Sequence, residues 1–483
     1  MPKTYLPVFF TQFFLGWSLV SFSSQERFPS VERKFAGLPY QVEIVRLKGQ
    51  QVGPTLLLIG GIHGDELAGC LALERYAIMT LKRGQMIVIP RLNWAAIMAG
   101  KRGVNGVDMN RLFSLPQEKL PQPEGQVVNL VKALVQEASC VVNTHQGSGF
   151  FDFRWVDKKR NPARWGQCNV IDAPYFDLPN GEQIRLEEFA SWVVERANRE
   201  IQEERYRFKV NNTETASEQS PHKEQRRSLT YYALTKAHRM AVGIEVTKEC
   251  SLSEAVSFMT IAINAVMERL GIVPEAFPNI DTGSVEKELK QQTRLTGLTA
   301  LVSGQKKKFF PGTSIYLRAE EKIKVLELET ENPLGWWVCF SDNREENALG
   351  KEQPFREGAA IEVWKDRKKY QFPIRLGKRY LAGVEVAVGA NVHAYQLGET
   401  IFWPADQTFK VLRVLPESQN SITVDIKGFV GNRKKNDGQD AGYEVKASRL
   451  IPSFALDEQK TLYRIEIREK NELVGELFLK LTN

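Results

Sequence analysis

Residues 55–66 read TLLLIGGIHGDE, an unbroken apolar run that halts at paired glycines and delivers an imidazole and a carboxylate three positions apart. A run that is apolar at every position suits a strand buried on both faces, as in a parallel sheet covered by helices. Ligands of such sheets bind beyond the carboxyl ends of the strands, which is where His63 and Glu66 fall. Outward from this stretch, residues 86–89, 140–143 and 241–246 form the other clear strands. Leu67, Cys70, Leu71, Ile78 and Leu81 recur at helical spacing before Gly84, and Leu186, Phe189, Val193, Val194, Ala197 and Ile201 do the same. A further helix is predicted from Ser251, with Glu254 completing a capping box, to Gly271, with Pro274 just beyond. The fold class expected is an α/β domain with a mostly parallel mixed sheet flanked by helices.

The remainder of the chain has a different texture. After a polar stretch at 282–295, taken as a linker, short alternating runs are broken by Gly, Pro and Asn, the pattern of all-β domains. Tyr463, Ile465 and Ile467 alternate with charged residues, and a turn at Lys470-Asn471 leads into a closing hairpin. The organisation expected is a catalytic domain over 38–281, a β domain over 296–394 and a C-terminal β-sandwich of immunoglobulin-like type over 395–483. Ahead of these, residues 5–20 are largely Leu, Val, Phe and Trp after the single charge of Lys3, and small residues follow near Ser23. That layout is a secretory signal peptide over 1–23, which places the mature protein outside the cytoplasm without an integral membrane span.

Composition narrows the function classes. The 483 residues are 42% hydrophobic and 25% charged, with a formal net charge of +7, which excludes a disordered chain and does not imply nucleic-acid binding. Five cysteines, Cys70, Cys140, Cys168, Cys250 and Cys339, are widely spaced and form no CxxC pair for a structural metal or thiol exchange. Basic clusters at 306–308, 365–369 and 433–435 read most simply as solvated loops, with an anionic polymer as the lesser reading.

The candidate chemistry lies at the strand ends. His63, Glu66 and His145 supply two neutral imidazoles and one carboxylate, a ligand set for one catalytic zinc with a position left for water. The loop Lys101-Arg102-Gly103 to Asn110-Arg111 presents two guanidinium groups, one suited to a carboxylate and the other to a polarised carbonyl. Glu245 sits in the apolar run beginning at Ala241, where a carboxylate needs either a partner or a task.

Taken together, GGIHGDE, GVDMNR, NTHQGSG and GIEVT resemble the zinc carboxypeptidase superfamily, which includes the aspartoacylase and succinylglutamate desuccinylase group. The stretches 88–93, 161–168, 229–233, 441–443 and 462–466 resemble one subgroup more closely, the peptidoglycan tripeptide D,L-carboxypeptidases that determine helical cell shape in spiral proteobacteria. The resemblance implies that His63, Glu66 and His145 bind zinc, that Glu245 is the general base and that Arg102 stabilises the oxyanion. It also implies that Asn110 and Arg111 hold the terminal carboxylate, with Tyr232 and Trp165 lining the pocket. The best-known members of the subgroup have glutamine at the position of His63, whereas this chain keeps the histidine of the wider superfamily. The activity implied is removal of the C-terminal meso-diaminopimelate from stem tripeptides in the periplasm, with cell-shape proteins as partners. Two alternatives stand beside it, an N-acyl amino-acid deacylase and a non-catalytic wall-binding scaffold.

Overall fold

Four apolar strands lie parallel and side by side at the centre of the first domain, in the spatial order Leu81–Ile89, Gln51–Ile59, Cys140–Gly147, Met240–Thr247. The computed structural model describes residues 31–354, 358–377, 381–416, 422–431 and 438–482. The expected signal peptide and the 433–435 cluster therefore lie outside the described residues. Antiparallel strands Val42–Lys48 and Val31–Lys34 extend one edge of the sheet. Beyond the other edge, Cys168–Ile171 runs antiparallel to Met240–Thr247, and Lys209–Asn212 pairs parallel with it. The sheet is mixed and mostly parallel at its core, and it begins at Val31, ahead of the expected boundary at 38.

The unbroken apolar runs arise because both faces are covered. Leu56, Leu58, Val142 and Ile244 pack against the helices Leu67–Ala77, Leu186–Asn198 and Leu252–Leu270 on one side. Leu57, Ile59, Ile87 and Val141 face Glu124–Glu137 and Leu229–Thr235 on the other. The Leu252–Leu270 helix carries the expected caps: Ser251 and Glu254 form a reciprocal capping box, and Gly271 closes the helix in the left-handed region. Leu81 departs from its expected place, since the first helix ends at Ala77 and Leu81 opens the next strand.

The segment expected as a linker is a helix, Thr282–Gln292, capped by the Asp281 side chain accepting from Ser284 N at 2.8 Å. Its apolar stripe is reduced to Val285 and Leu289, too narrow to stand out from the surrounding charge. Two β units follow, each a pair of sheets around its own core. The first core runs from Leu295 to Ile374 and the second from Leu381 to Leu479. The expected division at 394 is thereby corrected: Asn391–Gln396 pairs along its length with Gly383–Val388, so the boundary falls between Leu376 and Gly383. Alternation marks a strand but does not say which sheet it joins.

The first β unit is fastened to the catalytic domain by buried ion pairs. Arg91 is held by Glu74 and by both oxygens of Asp366, and Lys365 reaches the same Glu74 and the Leu334 carbonyl. Trp94 and Trp337 meet edge to face at 6.1 Å between ring centroids. Among the described residues no helix is long and apolar enough to cross a membrane.

Candidate metal centre

His63 and Glu66 hang on a loop that glycines allow to pass close to its neighbours. A Cβ on Gly64 would come within 2.0 Å of the Ala96 carbonyl carbon, so only glycine lets this loop pass the short helix Trp94–Ala99. That helix is itself capped by Asn93 and ends at Gly100 in the left-handed region, which turns the chain into the loop carrying Arg102. Arg367 of the first β unit donates to the Gly64 carbonyl at 3.2 Å, so the β unit also touches the loop that carries His63 and Glu66. Glu66 stands at the N-terminus of the helix Leu67–Ala77, where the helix dipole favours a carboxylate.

His145 reaches the same point from the end of Cys140–Gly147. Its Nδ1 lies 2.8 Å from Glu66 Oε2, and His63 Nδ1 lies 3.0 Å from Glu66 Oε1. The Gln146 backbone N–H donates to Glu66 as well, at 3.2 Å. One ligand atom from each of His63, Glu66 and His145 falls within 4.8 Å of the others, and all three residues are buried. Two imidazole Nδ1 atoms converging on one carboxylate fit a zinc-type ion in donor chemistry and in spacing.

Asp108 supports this cluster from behind. Its Oδ1 lies 3.2 Å from His63 Nε2 and accepts the Asn110 N–H at 2.9 Å, while its Oδ2 accepts from Arg102 Nε at 2.9 Å. A carboxylate on the far nitrogen of a ligand histidine fixes the ring's tautomer and orientation. Asp108 stands inside the GVDMNR stretch, but nothing in the spacing of that stretch reveals that its carboxylate turns toward His63.

The electrostatics follow from burial and from these contacts. Burial disfavours a charged His63 ring, but Asp108 and Glu66 outweigh it and raise the ring to about 9. For Glu66, burial is overcome by His145 and His63, which hold its carboxyl well below the usual range. Burial lowers His145 below the ordinary imidazole value. Glu245 goes the other way, pushed well above the carboxylate range by desolvation and by the charge of Glu66.

A cavity of about 350 Å³ opens in front of the cluster, lined by His63, Glu66, Arg102, Asn110, Arg111, His145, Trp165 and Glu245 together. Eight of the nine sequence-predicted residues are thus brought to one place. Asn110 uses its side-chain oxygen to accept from Leu229 N at 3.0 Å. Arg111 has no carboxylate within ion-pair distance among the described residues, and burial together with Arg102 lowers its basicity. Trp165 stands edge-on to His222 at 5.2 Å.

Tyr232 is the exception, since it does not line the cavity as expected. Its ring packs beside Phe113 at 6.2 Å with Lys132 above it at 5.1 Å, away from the cavity. Thr230 of the same helix lines the cavity instead, and a two-residue step turns a helix by about 200°, carrying Tyr232 to the opposite side. Sequence reasoning passed over Thr230, Asn143, Gly243 and Lys248, all of which line the cavity. Each lies in or beside a stretch noted for its neighbours, and strand alternation about His145 and Glu245 was the available signal for Asn143 and Gly243.

Comparison with known proteins gives the family of the chain. A family model described as carboxypeptidase controlling helical cell shape, catalytic, matches residues 13–286, and one described as C-terminal domain of metallo-carboxypeptidase matches residues 378–482. Among solved structures, the tripeptide-bound cell shape determinant Csd4 from Helicobacter pylori is 22% identical with a TM-score of 0.61, covering 91% of this chain and 100% of that one. The mDAP-bound form of Csd4, described as a D,L-carboxypeptidase, is similar at 22% identity and a TM-score of 0.60 over the same shares. At that identity the likeness shows the fold. A curated relative, the N-alpha-acetyl-L-2,4-diaminobutyric acid deacetylase of Halomonas elongata, is 32% identical over 110 residues, 21% of this chain and 30% of the relative. The chain therefore spans about a third of the length of that curated relative.

Proposed function

Because the chain belongs to the family of carboxypeptidases controlling helical cell shape, we propose that it is a zinc D,L-carboxypeptidase of the periplasm that removes the C-terminal meso-diaminopimelate from peptidoglycan stem tripeptides. The observation that carries this reading is one cavity holding a His-Glu-His cluster, the guanidinium of Arg111 with no carboxylate at ion-pair distance among the described residues, and an elevated carboxyl on Glu245.

His63, Glu66 and His145 would hold one zinc ion, which would supply Lewis acidity and make a bound water more acidic. Arg111, aided by the Asn110 amide, takes the free terminal carboxylate of the substrate as a charge-assisted pair, which restricts cleavage to the last residue. Glu245 accepts the proton of the attacking water and returns it to the leaving amine, a task helped by burial and the nearby Glu66 charge, which raise the proton affinity of its carboxyl. Arg102, anchored by Asp108, offers its guanidinium to the oxyanion that develops on the substrate carbonyl. Trp165 covers one side of the bound peptide. Cell-shape proteins are the expected partners of the β units.

Incubating a synthetic L-Ala-γ-D-Glu-meso-diaminopimelate tripeptide with the zinc-loaded protein tests this, the expected products being the dipeptide and free diaminopimelate. The local likeness to a deacetylase favours a second reading, hydrolysis of N-acyl amino acids. Deacylation of such compounds with no tripeptide cleavage would replace the first reading by the second.

A further inference from the structure

Two residues before the ligand His145 and the base Glu245, their strands place a second pair of register partners, Asn143 and Gly243. A two-residue step keeps the same face of a sheet, so all four residues look into one cavity, and all four line it. The step sets the second pair about 6.6 Å deeper along the strands.

Gly243 puts no side chain into this part of the cavity. A Cβ built there would stand 3.4 Å from the Val170 Cβ, and Val170, the register partner of Gly243 on the neighbouring strand, also lines the cavity. The hollow is thus bounded by a valine, by a residue with no side chain and by one amide. That amide is unsatisfied: Asn143 is 1% exposed, and its Oδ1 has no hydrogen-bond partner among the described residues. A buried amide oxygen left unpaired is rare, and one on a residue lining a cavity is free to accept from a group that enters it.

We infer that Asn143 reads the far end of the departing residue's side chain, and that the group it takes is a zwitterionic amino-acid terminus. The inference rests on the proposed function. With the main-chain carboxylate on Arg111 and the scissile bond between His145 and Glu245, the side chain of the C-terminal residue has the Gly243 hollow to enter. Diaminopimelate ends in an ammonium and a carboxylate on one carbon. An asparagine amide offers one acceptor and two donor hydrogens, so it pairs with both charges whichever way it is turned. Lysine brings only the ammonium and leaves the amide hydrogens unpaired, and an aliphatic side chain leaves the whole amide unpaired. Sites that hydrogen-bond a substrate group discriminate strongly against analogues lacking it.

The experiment compares kcat/KM for stem tripeptides ending in meso-diaminopimelate, lysine, norleucine or alanine, using the zinc-loaded full chain and its Asn143→Leu, Asn143→Asp and Gly243→Ala variants, with bound zinc measured in each. The wild-type protein is expected to prefer diaminopimelate over lysine by about tenfold or more. Asn143→Leu should erase that preference through KM, and Asn143→Asp should shift it toward lysine. Gly243→Ala should depress the three long side chains more than alanine. An unchanged order of preference in both Asn143 variants with zinc retained, or a wild-type protein indifferent among the long side chains, overturns the inference and leaves the carboxypeptidase reading standing. A wild-type protein that cleaves none of the peptides removes that reading and the inference with it.

Discussion

Glu245 and His145 are direct partners in the parallel register of Met240–Thr247 and Cys140–Gly147, so a carboxyl and an imidazole leave adjacent strands on the same face of the sheet. The pairing fixes Glu245 beside the His63, Glu66 and His145 cluster by backbone hydrogen bonds, without relying on a loop. A one-residue slip would turn Glu245 to the opposite face, where Val142 and Ile244 pack on the helix Leu252–Leu270, so the register keeps the carboxyl in the cavity.

Asp108 is expected to tune the metal through His63. Replacing it by Asn should weaken zinc binding by about 10- to 100-fold, as loss of a carboxylate behind a ligand histidine commonly does. Competition with a chromophoric chelator measures this, and unchanged affinity would mean that the 3.2 Å contact does not orient the ring.

Arg111 should set the preference for a free C-terminus. Hydrogen bonds to charged groups contribute about 1.5–3 kcal/mol, so Arg111→Ala should lower kcat/KM on the free acid by about 10- to 100-fold. The same change should leave a C-terminally amidated tripeptide almost unaffected. Equal losses on acid and amide would assign the arginine to general structure.

Glu74 holds the catalytic domain to the first β unit, lying fully buried between Arg91 and Lys365. Glu74→Gln leaves those cations with less compensation, and breaking buried ion pairs costs about 3–5 kcal/mol. A lower denaturation midpoint is expected, together with weaker zinc retention, because Arg367 in the same β unit touches the ligand loop at Gly64. An unchanged midpoint would contradict this role.

Asp172 is pushed up to about 6 by burial, against the opposing hydrogen bonds of Thr215 and Thr230. Its unfolded value is about 3.9, so between about pH 4 and pH 6 the folded chain holds more protons than the unfolded one, and stability falls as pH rises. A two-unit shift corresponds to about 3 kcal/mol, absent below pH 4 and fully felt above pH 6. Asp172→Asn should flatten that slope and raise stability at pH 7 in denaturation followed across the range. A slope identical to wild type would show that the carboxyl titrates normally.

What the sequence made legible was chemistry tied to local pattern. Apolar runs ending in glycine and histidine located the His63, Glu66 and His145 cluster, because strand ends, close backbone approach and residue type all leave marks within a few residues. The capping box at Ser251 and the stop at Gly271 were readable for the same reason. The role of Asp108 was hidden, since it depends on how a loop folds over a neighbouring strand. Tyr232 was misplaced because adjacent helix positions share a motif but not a face. The Thr282–Gln292 helix escaped notice because two buried residues make too thin a stripe, and the boundary at 394 failed because alternation carries no record of strand partners.

The most direct measurement is mass spectrometry of a murein tripeptide incubated with the purified protein, with chelator, with zinc restored after chelation, and with the Glu245→Gln variant. Release of diaminopimelate is expected to vanish with chelator and return with zinc. It should fall by about 10²- to 10⁴-fold in Glu245→Gln while that variant keeps its metal. An intact tripeptide in the presence of bound zinc, or release that survives both chelation and loss of the Glu245 carboxylate, would contradict a zinc carboxypeptidase working through this cavity.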